Sequence, residues 1–180
     1  FMEKVVEKVI QPTVKGLEKE AIGYKGFIFF GLIKVGEEPY VIEYNCRLGD
    51  PETEVIMPRL KNDLVELLEA TAKGRLKSVK IENDERTACT IMAVSGGYPG
   101  SFEKGFSISG LSEPLPDDSL LFHAGTRSEN GDVVTAGGRV LCVTSYSNKI
   151  SNAAKKSRHV LENINFEGMY YRRDIGYEFE

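Results

Sequence analysis

The chain has 180 residues, of which 41% are hydrophobic and 28% charged, as in an ordinary globular protein. Its net charge of −4 excludes a general basic surface for nucleic acid. No apolar run approaches the roughly 20 residues that a membrane-spanning helix needs. Three separate cysteines without a CxxC spacing and two isolated histidines predict neither a zinc site nor a redox pair, so we expect a cytoplasmic protein with reduced cysteines.

The first part of the chain predicts one helix and two strands. Residues 1–22 carry apolar side chains at helical spacing, and Pro12 is expected to bend or divide that helix. The apolar segments 27–35 and 39–46 predict antiparallel strands joined through a Gly-Glu-Glu turn. Because the first segment lacks alternation, we expect it to be covered on both faces.

The end of the second strand is the main candidate for a binding site. Alternation predicts that Val41, Glu43 and Asn45 leave the same face of this strand. One carboxylate and one amide oxygen suit a hard divalent cation, and Arg47, in phase if the strand continues, offers a planar fork for phosphate. The spacing alone favours the simpler interpretation, a solvated strand end with Arg47 paired to Asp50 or Glu52 of the following turn.

Two helices and a polar boundary follow. Residues 52–60 predict a short helix with Pro58 near its end, and Asn62 or Asp63 begins a second helix that ends before Gly74. The predicted apolar face of the second helix contains Leu64, Leu67, Leu68 and Thr71. The polar stretch 75–87 is a candidate domain boundary.

The second part predicts a small α+β unit made mostly of antiparallel strands. One strand covers 88–96, and one amphipathic helix covers 148–164. Short strands are expected at 106–109, 120–124, 132–135 and 138–145.

Several ordered segments carry a family resemblance. "YVIEYNCRLGDPETEVIMPRLKNDLVELL" (40–68) resembles phosphoribosylamine–glycine ligase, the ATP-grasp glycinamide ribonucleotide synthetase of purine synthesis. The run Glu-x-Asn-x-Arg-x-Gly-Asp-Pro-Glu matches at every fixed position of 43–52. Further similar segments follow the family order: "YKGFIFFGL", "SGGYPGSFEKG", "FHAGT", "TAGGRVLCVTS" and "YYRRDIG". The resemblance therefore covers essentially the whole chain.

The resemblance implies the fold class and the reaction. The fold would be α+β: residues 1–76 form the carboxyl-terminal part of an ATP-grasp domain, and residues 77–180 form a small, mostly antiparallel terminal domain. The enzyme would join glycine to 5-phosphoribosylamine through glycyl phosphate, with ATP as co-substrate. The apolar periodicity that begins at the first residue, together with the resemblance, leads us to expect that the amino-terminal part of the enzyme lies upstream.

The resemblance also implies roles for individual residues. Glu43 and Asn45 would bind Mg²⁺ or Mn²⁺, and Arg47 would face the transferring phosphoryl group. The turn that shapes the glycine or phosphoribosylamine pocket would consist of Gly49, Asp50, Pro51 and Glu52. Many ATP-grasp enzymes carry another acidic ligand on the preceding strand, but "FIFFGLI" has none, so phosphates and water would complete the metal site.

The remaining polar residues have simpler interpretations. The glycine clusters at 96–97 and 137–138 are expected to form turns and bulges. We interpret His123 as structural, and we expect Arg172 and Arg173 to form tail ion pairs with Asp174. Two other functions stay open: a non-catalytic binding or assembly module built on an ATP-grasp remnant, and a different ATP-grasp carboxylate–amine ligase.

Overall fold

The structure is a computed structural model, and it describes residues 1–179. It contains two compact units, the first formed by 1–50 with 60–82 and the second by 51–59 with the chain from Asn83 onward. The chain therefore crosses between the units three times. The last crossing, between Glu82 and Asn83, lies inside the polar stretch that composition marks as a boundary.

The regular elements alternate between helices and antiparallel strands. The helices are α1 (Met2–Val5), a π-helical segment (Val6–Ile10), α2 (Gln11–Lys19), α3 (Thr53–Arg59), α4 (Leu64–Ala72) and α5 (Ile150–Glu162), with 3₁₀ turns at Leu76–Ser78 and Tyr177–Phe179. The strands are β1 (Phe29–Val35), β2 (Glu38–Asn45), β3 (Thr87–Val94), β4 (Ser119–His123), β5 (Thr126–Glu129), β6 (Asp132–Thr135) and β7 (Arg139–Ser147). The predicted α+β class is confirmed.

The first helical segment passes Pro12 without a break in its backbone. Gln11 keeps right-handed helical dihedrals, and its N–H donates to the carbonyl of Val6, five residues earlier. Pro12 follows as the second residue of α2, and because proline has no N–H it leaves a gap in the backbone hydrogen bonds of this continuous helical segment. Of the two expected effects of Pro12, the helix is therefore divided: a π-helical segment separates α1 from α2.

One carboxylate joins this helical segment to β2. The Nζ of Lys4 lies 2.6 Å from Oε1 of Glu38, and Lys8 pairs with the other carboxylate oxygen. Hydrogen bonds from Lys4 and then Lys8 lower the pKa of the half-buried Glu38 from 4.5 to about 2. The pairing favours the charged carboxylate in the folded unit.

The ion pairs of Glu38 with Lys4 and Lys8 should weaken only at pH values below the ordinary pKa of a glutamate. Because the folded pKa is depressed, the contribution to stability is complete above about pH 4.5 and is lost as the pH falls towards about 2. In an NMR titration, Lys4→Met with Lys8→Met should return the Glu38 midpoint to the ordinary range. Lys15→Met is the matched control, since Lys15 lies in the same helical segment and takes no part in the ion pairs of Glu38. An unchanged midpoint in the double variant contradicts the assignment.

The hairpin β1–β2 is confirmed, but its predicted coverage is wrong. The two strands pair antiparallel through the turn at Gly36, whose φ of 60° suits glycine. Within residues 1–179 the sheet consists of these two strands, and the side chains of Ile33 and Val35 are exposed. Within residues 1–179 this apolar strand is therefore not covered on both faces.

Helix α4 begins as predicted, but its buried face is narrower. Asp63 caps it by accepting hydrogen bonds from the N–H groups of Val65 and Glu66 at 2.8 and 3.1 Å. Leu67 and Ala70 are buried, whereas Leu64 and Leu68 of the predicted face are exposed. The hydrophobic spacing thus predicts the helix correctly, but it predicts more buried side chains than the helix has.

The second unit contains the main hydrophobic core. Its three-stranded antiparallel sheet has the order β3-β7-β4, and α5 packs on β3 and β7. The most deeply buried side chains of the core cluster include Ile91, Ala93, Val140, Leu141, Val143, Ala153, Ala154 and Leu161. The predicted strands at 88–96, 120–124 and 138–145 and the helix at 148–164 are confirmed within two or three residues at each end.

A second hairpin, β5–β6, was only half predicted. Asn130 and Gly131 both have positive φ at its tip, and β6 coincides with the predicted strand 132–135. The residues 126–129 lack an apolar pattern, so periodicity missed β5. In contrast, the predicted strand 106–109 forms only isolated bridges, from Ser107 and Ser109.

Candidate functional site

The predicted carboxylate–amide pair forms at the end of β2. The Nδ2 of Asn45 donates a hydrogen bond of 3.0 Å to Oε1 of Glu43. Glu43 is exposed and Asn45 is half-buried, so both head groups are open to a ligand. The prediction that these two side chains share a face is confirmed.

A β-bulge changes which other residues share that face. Gly31 pairs with Glu43 and Leu32 pairs with Val41, so Ile42 is an extra residue in β2. Adjacent residues of β1 point to opposite faces, and therefore Val41 lies on the face opposite Glu43. The predicted grouping of Val41 with Glu43 and Asn45 is wrong, because simple alternation ignores the bulge.

The bulge brings a different side chain to the face of the pair. Tyr40 pairs with Ile33, which lies on the same face of β1 as Gly31, so Tyr40 shares the face of Glu43. On the opposite face, the rings of Phe30 and Tyr44 make an edge contact at 5.4 Å. The site face of the hairpin thus combines an exposed tyrosine with the carboxylate and the amide.

The donor set fits a hard divalent cation that keeps other ligands. With its amide nitrogen directed at Glu43, Asn45 retains its Oδ1 as an acceptor, and Glu43 retains Oε2. Mg²⁺ typically takes one or two carboxylates, with phosphates and water completing its shell. Among residues 1–179 there is no cluster of three His, Cys, Asp or Glu side chains that could hold a metal ion.

Arg47 lies beyond the strand, which ends at Asn45. The in-phase position expected for a continuing strand therefore does not apply. Its side chain is exposed, and Nη1 donates to the carbonyl of Leu48 at 3.2 Å. Gly49 is buried and Asp50 is exposed. The arginine thus presents its guanidinium group from a loop instead of the strand.

The last two residues of the motif begin the second unit. The carbonyl of Glu52 accepts hydrogen bonds from the N–H groups of Val55 and Ile56, which starts α3 directly after Pro51. The hydroxyl of Thr144, in the central strand β7, donates to the carbonyl of Glu54 at 2.8 Å. This contact fixes the start of α3 to the sheet of its own unit.

Three other residues singled out from the sequence, His123, Arg172 and Gly138, make structural contacts within the protein. The Nδ1 of His123 lies 3.0 Å from the hydroxyl of Thr126, as expected for a structural histidine. Arg172 pairs with Asp174 at 2.8 Å, which confirms the prediction for that arginine. The guanidinium group of Arg173 instead lies 5.6 Å from the ring centroid of Tyr171. A Cβ at Gly138 would lie 2.2 Å from the ring of Tyr98, so that glycine permits close packing.

Matches to known protein families show which family contains this chain. Residues 88–178, just over half of the chain, match the family described as "Phosphoribosylglycinamide synthetase, C domain". Residues 1–53 match "Phosphoribosylglycinamide synthetase, ATP-grasp (A) domain". The chain belongs to the phosphoribosylglycinamide synthetase family. The motif 43–52 lies at the carboxyl end of the ATP-grasp match, and the resemblance inferred from the sequence is confirmed.

Curated relatives from the synthetase family match almost the whole chain. A phosphoribosylamine–glycine ligase from Caldanaerobacter subterraneus is 42% identical over 174 residues, which is 97% of this chain and 41% of the relative. A ligase of the same name from Vibrio vulnificus is 45% identical over 175 residues, with the same shares. The chain therefore spans about two fifths of the length of these relatives.

Solved structures give the same assignment of fold. A phosphoribosylamine–glycine ligase from Thermotoga maritima superposes with a TM-score of 0.79 and 36% identity, over 95% of this chain and 42% of that one. A biotin carboxylase from Campylobacter jejuni superposes with a TM-score of 0.63 over 96% of this chain and 38% of that one. At 18% identity the second match shows the fold alone. The predicted ATP-grasp architecture is confirmed.

Sequence reasoning missed one residue of this site. Gly31 stands opposite Glu43 in the β1–β2 ladder, inside an otherwise apolar strand. A glycine within a strand often marks a bulge or a close approach. The glycine in "FIFFGLI" is such a signal.

Proposed function

We propose that this chain is the carboxyl-terminal portion of an ATP-dependent ligase that joins glycine to 5-phosphoribosylamine. The proposal is carried by one observation: the carboxylate–amide pair of Glu43 and Asn45 ends β2 in a chain that is over 40% identical to ligases of that name. The product is glycinamide ribonucleotide, with release of ADP and phosphate, in purine biosynthesis. We place the enzyme in the cytoplasm.

The reaction has two bond exchanges. A carboxylate oxygen of glycine attacks the γ-phosphorus of ATP, the bond to the bridging oxygen of the β-phosphate breaks, and ADP leaves. The amine nitrogen of phosphoribosylamine then attacks the acyl carbon of glycyl phosphate. The carbon–oxygen bond breaks, phosphate leaves, and the nitrogen loses a proton. Phosphoryl transfer of this kind depends mainly on positioning and charge neutralisation.

The residues of the motif supply those two requirements. Glu43 and Asn45 would hold Mg²⁺ or Mn²⁺, and when bound this ion neutralises charge on the phosphates of ATP. Arg47 would direct its guanidinium at the transferring phosphoryl group, for which an exposed arginine has suitable donor geometry. The turn at Gly49, Asp50, Pro51 and Glu52 would shape the pocket for glycine or phosphoribosylamine.

The exposed apolar side chains of the first unit are evidence that this unit belongs to a larger catalytic domain. Ile33, Val35, Tyr40 and Ile42 are all exposed on the two-stranded sheet, although large apolar patches on isolated units are uncommon. We propose that the rest of the ATP-grasp domain covers this surface in the full-length protein. It would also supply the adenine contacts and the phosphate-binding lid, so the 180-residue chain alone would be inactive.

The proposed function is tested with the full-length protein. Phosphate release should require ATP, glycine and phosphoribosylamine together, and glycinamide ribonucleotide should be the product identified by mass spectrometry. The 180-residue chain should form no product under the same conditions. Preferential use of another carboxylic acid would favour a different ATP-grasp ligase, and the absence of ligation with any acid would favour a binding or assembly module.

A further inference from the structure

The strand opposite the proposed metal ligands has a glycine at the position that faces Glu43. Gly31 and Glu43 are direct partners in the β1–β2 ladder, at the point where the bulge at Ile42 interrupts the register. Side chains of paired residues stand side by side on the same face of a sheet. Any side chain at residue 31 would therefore occupy space beside that of Glu43.

The available space at this position is occupied by Glu43 itself. A Cβ added to Gly31 would lie 2.7 Å from Cγ of Glu43, and the next nearest atoms, at 3.6 Å, are the backbone N and O of the same residue. Cγ is separated from the backbone by a single carbon, so it cannot move aside by flexing at the end of a long side chain. The overlap between this Cβ and Cγ can be removed only if Glu43 adopts a different χ1 rotamer.

Backbone conformation does not explain the glycine. The φ of Gly31 lies outside the left-handed region, so an alanine could adopt the same backbone. The extra residue of the bulge is Ile42 on β2, so the irregularity does not place Gly31 in a conformation reserved for glycine. What an alanine would change is the space that the side chain of Glu43 occupies.

We propose that Gly31 is a positioning residue for the metal ligands. Its missing side chain lets Glu43 lie against β1, where Oε1 accepts the 3.0 Å hydrogen bond from Asn45. A substituent at residue 31 rotates Glu43 about χ1 and separates the carboxylate from the amide. The inference rests on the proposed function, in which these two groups bind a divalent cation.

The test measures Mn²⁺ binding, and not only turnover, in the full-length protein. Free Mn²⁺ is followed by EPR during titration of the wild type, Gly31→Ala, Glu43→Ala and the double variant. Gly31→Ala should raise the dissociation constant for Mn²⁺ about tenfold in the wild-type background and less than twofold in the Glu43→Ala background. Gly23→Ala is the matched control, because nothing lies within 4 Å of a Cβ at Gly23.

Two results would overturn the inference. One is unchanged Mn²⁺ binding by Gly31→Ala, and the other is an equal loss in both backgrounds, which would mean that residue 31 does not act through Glu43. If Gly31→Ala alone fails to fold, the double variant must restore thermal stability, since its second change removes the overlapping Cγ. A wild type that binds Mn²⁺ but forms no glycinamide ribonucleotide contradicts the proposed function and leaves the positioning test valid.

Discussion

Replacing Glu43 by glutamine in the full-length protein should reduce kcat by at least about 100-fold, which corresponds to about 3 kcal/mol of lost transition-state stabilisation. Glutamine keeps the size of the side chain and removes the only charged ligand that β2 contributes to the pair. The Mg²⁺ concentration for half-maximal activity should rise, because a neutral amide oxygen binds a hard cation less tightly. Steady-state kinetics over a Mg²⁺ series measures both effects.

The matched control lies on the same hairpin. Glu37→Gln changes an exposed glutamate in the β1–β2 turn, whose carboxylate pairs with Lys34 at 3.1 Å. Exposed pairs of this kind contribute little to stability, so activity should stay within about twofold of the wild type. Thermal unfolding should be unchanged in both variants, since Glu43 is also exposed. Near-normal turnover of Glu43→Gln at low Mg²⁺ would refute the metal assignment.

The order of the elements could be predicted because each follows from a local signal. Helical spacing and Asp63 locate α4, and Gly36 marks the turn between β1 and β2. The carboxylate–amide pair was also predictable, because Glu43 and Asn45 lie beyond the bulge, where alternation is regular again.

What could not be predicted depends on contacts between distant residues. The bulge at Ile42 is visible only once β1 and β2 are aligned, so Val41 was assigned to the wrong face. The strand β5 is polar, and only the Asn130-Gly131 pair indicated a hairpin there. The role proposed for Gly31 likewise depends on its cross-strand partner, which no pattern along a single strand identifies.

Shortening Leu161 on α5 should strongly lower the free energy of unfolding of the second unit. This side chain is 1% exposed and belongs to the core cluster between α5 and the sheet of the second unit. Leu161→Ala should lower the free energy of unfolding of that unit by about 3 kcal/mol, the sum of lost apolar burial and the cavity left behind. Leu120→Ala removes the same atoms from a side chain that is 39% exposed, and should cost less than about 1 kcal/mol.

Native-state hydrogen exchange can isolate this effect from the first unit. The amides of β7 lie in the central strand of the sheet, so their slowest exchange reports on opening of the whole second unit. Leu161→Ala should reduce their protection about 100-fold, as expected for a loss of about 3 kcal/mol. Amides of β1 and β2 should keep their protection, because Leu161 belongs to the other compact unit. If Leu161→Ala lowered the protection of β7 no more than Leu120→Ala does, the packing of α5 on the sheet could not be the main source of that unit's stability.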